Sequence, residues 1–484
     1  MSNTFSISLR TIARNAASVL ASDVVTRAST FVLYALVTRH LGLFRFGQLS
    51  LALTVVYTAQ IFATAGLKTL IIREAAKDRS KTGQYLVNGI AIVTGATLIS
   101  LVLLLGFVRI MGYGADTARV ILLLALILLP YTISTICEAL FQAVEQMHFI
   151  AYVNIPLNLA KAGGAFVLLR EGGGIYTVVG LLLLTQGVIA AFELALVVSR
   201  VTRPALRIDL GFIRRALRQT APFLAIDVLI SLWGTITIVL LSSFRSESDV
   251  GLLSASSQLL TPVVLLYQSV VLSLFPVMCR RYEAGFESLK RLSERVTELL
   301  LVIGLPIVVG LSFLAERILV LVYGGQDFAL GAIVLRIVVW EVFLRAYTTA
   351  LGQTLLAGDR ERITLSIVAI NTMANLVVGV ILISQFGLIG AALTIVATRG
   401  IGVVQHYIQV SRIAGSVNLL APMRTPALAS LCMGVFLVVF GHHNIVLTIA
   451  TAALVYAAAL GVLTVWSAGG VRHVRTHYRY LWSE

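Results

Sequence analysis

Residues 17–50 read ASVLASDVVTRASTFVLYALVTRHLGLFRFGQLS, and residues 221–254 read APFLAIDVLISLWGTITIVLLSSFRSESDVGLLS. A shift of 204 residues lays one on the other without a gap and matches nine positions. Among them are Asp23 on Asp227 and the element Gly47-x-Leu49-Ser50 on Gly251-x-Leu253-Ser254. Both stretches are long and apolar. A carboxylate inside such a run is rare, because a charge at the centre of a bilayer costs about 2.5–3.5 kcal/mol on insertion scales. Two of them in register point to a duplicated membrane unit. Further along, a shift of 211 lays Asp116, Ala118, Ala139, Leu140 and Gln142 on Asp327, Ala329, Ala350, Leu351 and Gln353.

The rest of the chain agrees with a membrane reading. Of 484 residues, 58% are hydrophobic and 12% charged, and the mean hydropathy is +0.95. Soluble domains carry about 25% charged residues, so a soluble enzyme is excluded. A hydrocarbon core about 30 Å thick needs roughly 20 apolar residues per helix. Fourteen such runs are expected, at about 15–38, 46–66, 85–108, 117–137, 149–169, 175–198, 219–242, 250–277, 296–315, 328–354, 363–383, 388–410, 426–441 and 444–466. The fold class is therefore an all-α polytopic membrane protein. The repeat divides it into an N-terminal lobe, 1–198, with helices 1–6, and a C-terminal lobe, 219–410, with helices 7–12. A cytoplasmic linker, 199–218, joins them, and 411–484 adds helices 13 and 14 and a tail. Each lobe has an even number of helices, so the copies insert in the same orientation, related by an axis along the membrane normal.

Alternate segments between the spans hold 25 Lys and Arg on one side and seven on the other. Cytoplasmic segments carry the excess of cations, so both termini are expected in the cytoplasm. The surplus also explains the net charge of +15 without a nucleic-acid partner. Arg10 and Arg14 precede a first apolar run that continues to Val37 and contains Asp23 and Arg27, which reads as a retained helix and not as a cleaved signal. The segment 207–218, with Arg207, Arg214, Arg215 and Arg218, reads as an amphipathic interfacial helix that touches anionic lipid.

Eight charged groups remain inside the spans: Asp23, Arg27, Lys161, Asp227, Arg336, Glu341, Arg345 and Arg399. Such groups face a bundle interior or an aqueous cavity. Five cations against three anions leave that interior positive, which suits a phosphorylated substrate, and Arg offers a forked set of donors for phosphate oxygens. The candidate binding residues are Arg27, Lys161, Arg345 and Arg399, with Arg336 nearer the interface. They are expected to converge on a central cavity between the lobes. Asp23, Asp227 and Glu341 are candidate ion-coupling carboxylates. Asp23 with Arg27, and Glu341 with Arg345, stand at i, i+4, so each pair could equally be a local ion pair. Asn154, Asn158 and Lys161 form a polar stripe at helical spacing.

Residues 38–52, TRHLGLFRFGQLSLA, resemble the signature that follows the first helix of polysaccharide and oligosaccharide flippases, including the O-antigen flippases. These belong to the superfamily that also holds multidrug extruders and lipid II flippases. Asp249-Val250-Gly251 with Ser254-Ala255, Leu274-Phe275-Pro276 and 386–392, FGLIGAA, are similar to further pieces of the same pattern; Leu43 stands where that family often has proline. The resemblance spans roughly residues 10 to 410. It implies an inner-membrane transporter, not an enzyme, that moves an undecaprenyl-pyrophosphate-linked oligosaccharide from the cytoplasmic to the periplasmic leaflet by alternating access. It implies membrane lipids as surroundings, a polysaccharide polymerase and chain-length proteins as partners, and a monomer. A cation-coupled multidrug extruder of the same superfamily is the alternative that Asp23 and Asp227 keep open.

Other chemistries find no support. Cys137, Cys279 and Cys432 are singly placed, without disulfide or zinc spacing. Gly172-Gly173-Gly174 joins two membrane helices with no strand before it and reads as a turn. His442 and His443 lack a third ligand nearby, so no metal is expected. No Walker lysine motif is present, no cofactor is expected, and no outside loop is long enough for a membrane glycosyltransferase's catalytic carboxylates.

Overall fold

The computed structural model describes residues 9–204, 208–283, 285–441 and 444–467. The cations of the C-terminal tail, Arg207, His442 and His443 lie outside the described residues, as do the side chains of Arg10 and Arg14. The described residues form helices and no strand. We number the helices α1 Leu9–Thr64, α2 Leu67–Lys77, α3 Thr82–Met111, α4 Ala115–Ala125, α5 Leu128–Ala143, α6 His148–Arg170, α7 Ile175–Leu196 and α8 Leu210–Phe244. There follow α9 Glu247–Gln258, α10 Thr261–Glu283, α11 Phe286–Tyr323, α12 Ala332–Val338, α13 Trp340–Ala357, α14 Glu361–Ala414, α15 Arg424–Phe440 and α16 Ile445–Ser467.

Eleven stretches among the described residues are long and apolar enough to cross a membrane. Two of them hold two spans each. The 56 residues of α1 would reach ~84 Å as one rod, far beyond a bilayer. The chain instead turns at Gly42, whose φ of 80° only glycine adopts freely. The 54-residue α14 turns in the same way at Gly387, at φ 56°. With the pair α12 and α13, which is too polar to be counted among the eleven, the expected fourteen spans are present. The segment expected as a separate interfacial helix continues directly into a span: from Leu210 it forms the first turns of α8, where Asp209 accepts a hydrogen bond from the Phe212 N–H at 3.0 Å and caps the helix.

The backbone repeats its irregularities as the sequence repeats its residues. Gly42 shifted by 204 falls on Ser246, in the break between α8 and α9. Leu126 and Ile127, which separate α4 from α5, shift by 211 to 337 and 338, beside the break at Val339 between α12 and α13.

The chain divides into two compact units, Met1–Gly251 and Leu252–Glu484. In the first, α6 and α3 pack along α1, and α5 packs on α2, α3 and α7. A core of Leu70, Ile71, Leu86, Ile136, Leu140 and Phe141 lies between α2, α3 and α5. In the second, α11 contacts α10, α13 and α15, and α15 with α16 forms a satellite cluster around Met433, Leu437 and Tyr456.

The two glycines paired by the repeat also touch. A Cβ on Gly47 would stand 1.7 Å from the Glu247 carbonyl oxygen, and one on Gly251 would stand 2.9 Å from the Leu43 carbonyl oxygen. The α1 and α9 backbones meet there with no room for a side chain. Gly47→Ala should therefore lower the unfolding temperature of the purified protein, at a cost of about 1–3 kcal/mol for overpacking. Gly95→Ala, in a helix with open space around it, should leave that temperature unchanged or raise it. Equal effects of the two would show that the close contact is not needed.

Candidate functional site

The first unit encloses a cavity of ≈ 640 Å³ whose lining includes Asp23, Lys68, Glu138, Lys161 and Asp227. Lys161 owes its place to the stripe on α6. Residues 154, 158 and 161 fall on one face of a helix, and that face packs against α1, where Ser29 donates to the Asn158 carbonyl at 2.5 Å. Lys161 is 8% exposed. It donates to Asn158 Oδ1 at 2.7 Å, and no carboxylate pairs with it among the described residues. An ammonium has three donors, so this amine is held and not neutralised.

The stripe extends to a residue that spacing alone did not reveal. Asn154 Nδ2 donates to Glu193 Oε1 at 3.1 Å, and the Ser134 hydroxyl donates to Oε2. Glu193 of α7 is fully buried, so α5, α6 and α7 are tied by one polar ladder. The signal was a carboxylate inside an apolar run, masked by its nearness to the end of that run. Lys68 and Glu138 likewise form an ion pair at 3.0 Å across α2 and α5, both at span edges.

Asp23 and Asp227, matched by the repeat, line this same cavity. Arg27 does not: its side chain is exposed, and no ion pair with Asp23 is present among the described residues. The Asp23 carboxylate faces the cavity without that guanidinium.

The second unit holds the other cluster. Glu341 accepts from Arg345, one turn along α13, and its Oε1 also accepts from Arg399 Nη2 of α14 at 2.6 Å. The Glu341, Arg345 and Arg399 side chains are 13%, 25% and 11% exposed. The i, i+4 spacing anticipates the first contact and not the second, which comes from the packing of α13 on the limb of α14 that follows the turn at Gly387. Two guanidiniums on one carboxylate leave a net positive charge inside the bundle. Tyr267 Oη of α10 and Arg345 Nε are buried with no hydrogen-bond partner among the described residues. Gly304 of α11 makes room for the tyrosine, since a Cβ there would lie 1.8 Å from Tyr267 Oη. Arg336, expected nearer the interface, is exposed and donates to the Ser312 carbonyl at 3.2 Å, apart from the cluster.

Residues 12–281, more than half of the chain, match the family described as polysaccharide biosynthesis protein. The chain belongs to that family. Residues 222–382 also match the MatE family. Over 406 residues, covering 82% of each sequence, the chain is 23% identical to the probable low-salt glycan biosynthesis flippase Agl15 of Haloferax volcanii. Its fold is similar to that of the lipid II flippase MurJ in an inward closed conformation, with a TM-score of 0.75 at 14% identity over 91% of this chain and 97% of that one. A multidrug resistance MATE family transporter in an inward-facing conformation follows, with a TM-score of 0.67 at 14% identity over 80% and 95%.

The energetics of the Glu341 cluster can be separated by a double-mutant cycle. Removing one partner of a buried ion pair costs about 3–5 kcal/mol, because the charge left behind is uncompensated. Glu341→Gln should strand two guanidiniums and lower stability by at least that order. Adding Arg399→Met should recover part of the loss in thermal unfolding. Strictly additive losses would mean that the three groups do not act together.

Proposed function

We propose that this chain is a flippase that carries a lipid-linked oligosaccharide, joined to undecaprenyl through pyrophosphate, from the cytoplasmic to the periplasmic leaflet by alternating access. The observation that carries this reading is a buried cluster with surplus cations in the second unit and a buried lysine in the first, within a chain of the polysaccharide biosynthesis family. Lys161 has no carboxylate partner among the described residues, and Glu341 is shared by Arg345 and Arg399. A desolvated cation of this kind gains from a doubly charged phosphate ester what it lost on leaving water. The flippase relatives, one of glycan biosynthesis and one of lipid II, support the substrate class. Transport needs no bond made or broken in the substrate, so the chain acts as a carrier and not as an enzyme.

In this reading Lys161 in the first unit, and Arg345 and Arg399 in the second, are the buried phosphate-binding cations, and Arg27, exposed on α1 and outside the cavity lining, is a fourth that the substrate meets outside that cavity. Asp23 and Asp227 line a cavity that Lys161 also lines and serve as coupling carboxylates, one from each copy of the sequence repeat. The protein sits in the inner membrane with both termini in the cytoplasm. It works as a monomer beside a polysaccharide polymerase and chain-length proteins. The MatE match and the two cavity aspartates favour the second reading, a cation-coupled multidrug extruder. An extruder of cations would be hindered by Lys161.

Alanine at Arg27, Lys161, Arg345 or Arg399 should lower polysaccharide export, each lost charge-assisted hydrogen bond costing about 10- to 100-fold in affinity. Lysine at the arginine positions should rescue in part, since charge returns without the fork. Normal export from all four alanine variants at normal membrane abundance would overturn the reading. Drug resistance conferred by the wild type, with export untouched by its loss, would favour the extruder. Reporter fusions after Gly83 and Arg218 should report the cytoplasm, and one after Glu247 the periplasm. The opposite pattern would overturn the orientation.

A further inference from the structure

Outside the two clusters, the second unit has another cavity, of ≈ 710 Å³, lined by Arg281 at the end of α10, by Arg291 and Arg295 of α11, and by Pro422 of the 3-10 turn Ala421–Met423. We infer that this cavity binds a phosphate group, that of an anionic lipid headgroup at the membrane surface.

The length of α11 fixes the depth. Its 38 residues reach ~57 Å, whereas a bilayer with its headgroup layers is about 40–45 Å thick. One end must therefore stand out of the hydrocarbon. That end is 286–298, FESLKRLSERVTE, which carries six charges, while the apolar run follows it. The cavity lies along this charged end, at headgroup level.

The charges do not cancel. Glu294 and Glu298 also line the cavity. Glu294 accepts the Asn418 backbone N–H at 2.9 Å, and Glu298 lies 3.4 Å from Arg295. Arg291 meets Glu287 only at 3.6 Å, on a side chain that is 75% exposed. Arg281 is half-buried and has no hydrogen bond or ion pair among the described residues, so a forked donor set at the end of α10 is left for a ligand. Val277, Leu292 and Pro422 add an apolar wall. Forked cations beside an apolar wall, at headgroup depth, match an amphiphile whose phosphate is negative and whose next atoms are hydrocarbon. A choline headgroup would bring a cation against Arg281, and a neutral lipid would leave the guanidinium unanswered.

The test is native mass spectrometry of the full-length protein in detergent, with phosphatidylglycerol, phosphatidylcholine and inorganic pyrophosphate as probes. Phosphatidylglycerol should be retained over phosphatidylcholine. Arg281→Gln with Arg291→Gln should lower its occupancy by about 5-fold per cation removed. Retention that pyrophosphate does not displace assigns the phosphate to a lipid; displacement by millimolar pyrophosphate supports the same phosphate site filled from solution. Should the double glutamine variant unfold, Arg281→Lys with Arg291→Lys keeps charge without the fork and should retain an intermediate occupancy. Equal retention of the two lipids by the wild type, or undiminished phosphatidylglycerol in a folded double variant, would overturn the inference.

Discussion

A charged side chain inside hydrocarbon must find its counter-charge or its water within the protein, and this requirement governs the interior of both units. Apolar helices are interchangeable in lipid, because a leucine gains little by leaving one hydrocarbon for another. What fixes helix against helix here is polar: the ladder from Ser134 through Glu193 to Asn154, and Glu341 held by Arg345 and Arg399. These contacts position α5, α6 and α7 in one unit and α13 and α14 in the other. In the second unit they leave two arginines on one carboxylate; in the first, Lys161 has no ion pair among the described residues, and Asp23, Glu138 and Asp227 line the same cavity.

Breaks in the helices support this arrangement. Glu341 lies in the first turn of α13, immediately after the interruption at Val339. The free N–H groups of a helix start favour a negative charge, so the break stabilises the carboxylate that holds two arginines. Asp116 sits in the first turn of α4, on the matching side of the repeat, and is bound by Arg45, by Gln48 at 3.1 Å and by Tyr176 at 2.5 Å. Asp327, its partner under the 211-residue shift, opens the 3-10 turn Gln326–Gly331 before α12. The 211-residue shift thus lays acidic residues on equivalent helix starts.

Much of this was legible in the sequence, for identifiable reasons. Hydropathy over about 20 residues finds a span whatever its tertiary partners, so all fourteen appear where expected, including the polar pair α12 and α13. In-helix spacing finds local contacts, hence Glu341 with Arg345 and Asn158 with Lys161. It cannot find a contact that packing creates, and so it gives Arg399 no partner although that side chain reaches Glu341 from 58 residues away. Spacing also suggests contacts that packing refuses: Asp23 and Arg27 stand one turn apart, yet the aspartate turns to the cavity and the arginine does not. Spacing does not single out Glu193, because a carboxylate near the end of a span is cheap if it reaches the interface, and only the fold shows that this one turns inward. Kinks at Gly42 and Gly387 are the reverse case, since a short interruption between two apolar runs already demands a tight reversal that glycine permits.

The central claim is that the chain moves a lipid-linked glycan across the bilayer, and the leaflet in which that glycan accumulates tests it most directly. Cells lacking the chain would be converted to spheroplasts and treated with periodate, which does not cross the membrane. Mass spectrometry would then show how much of the pyrophosphate-linked oligosaccharide survives unoxidised. The account predicts that the intermediate accumulates and stays protected until the membrane is opened, and that restoring the chain exposes it. Oxidation of the intermediate in intact spheroplasts to the same extent with and without the chain would contradict it.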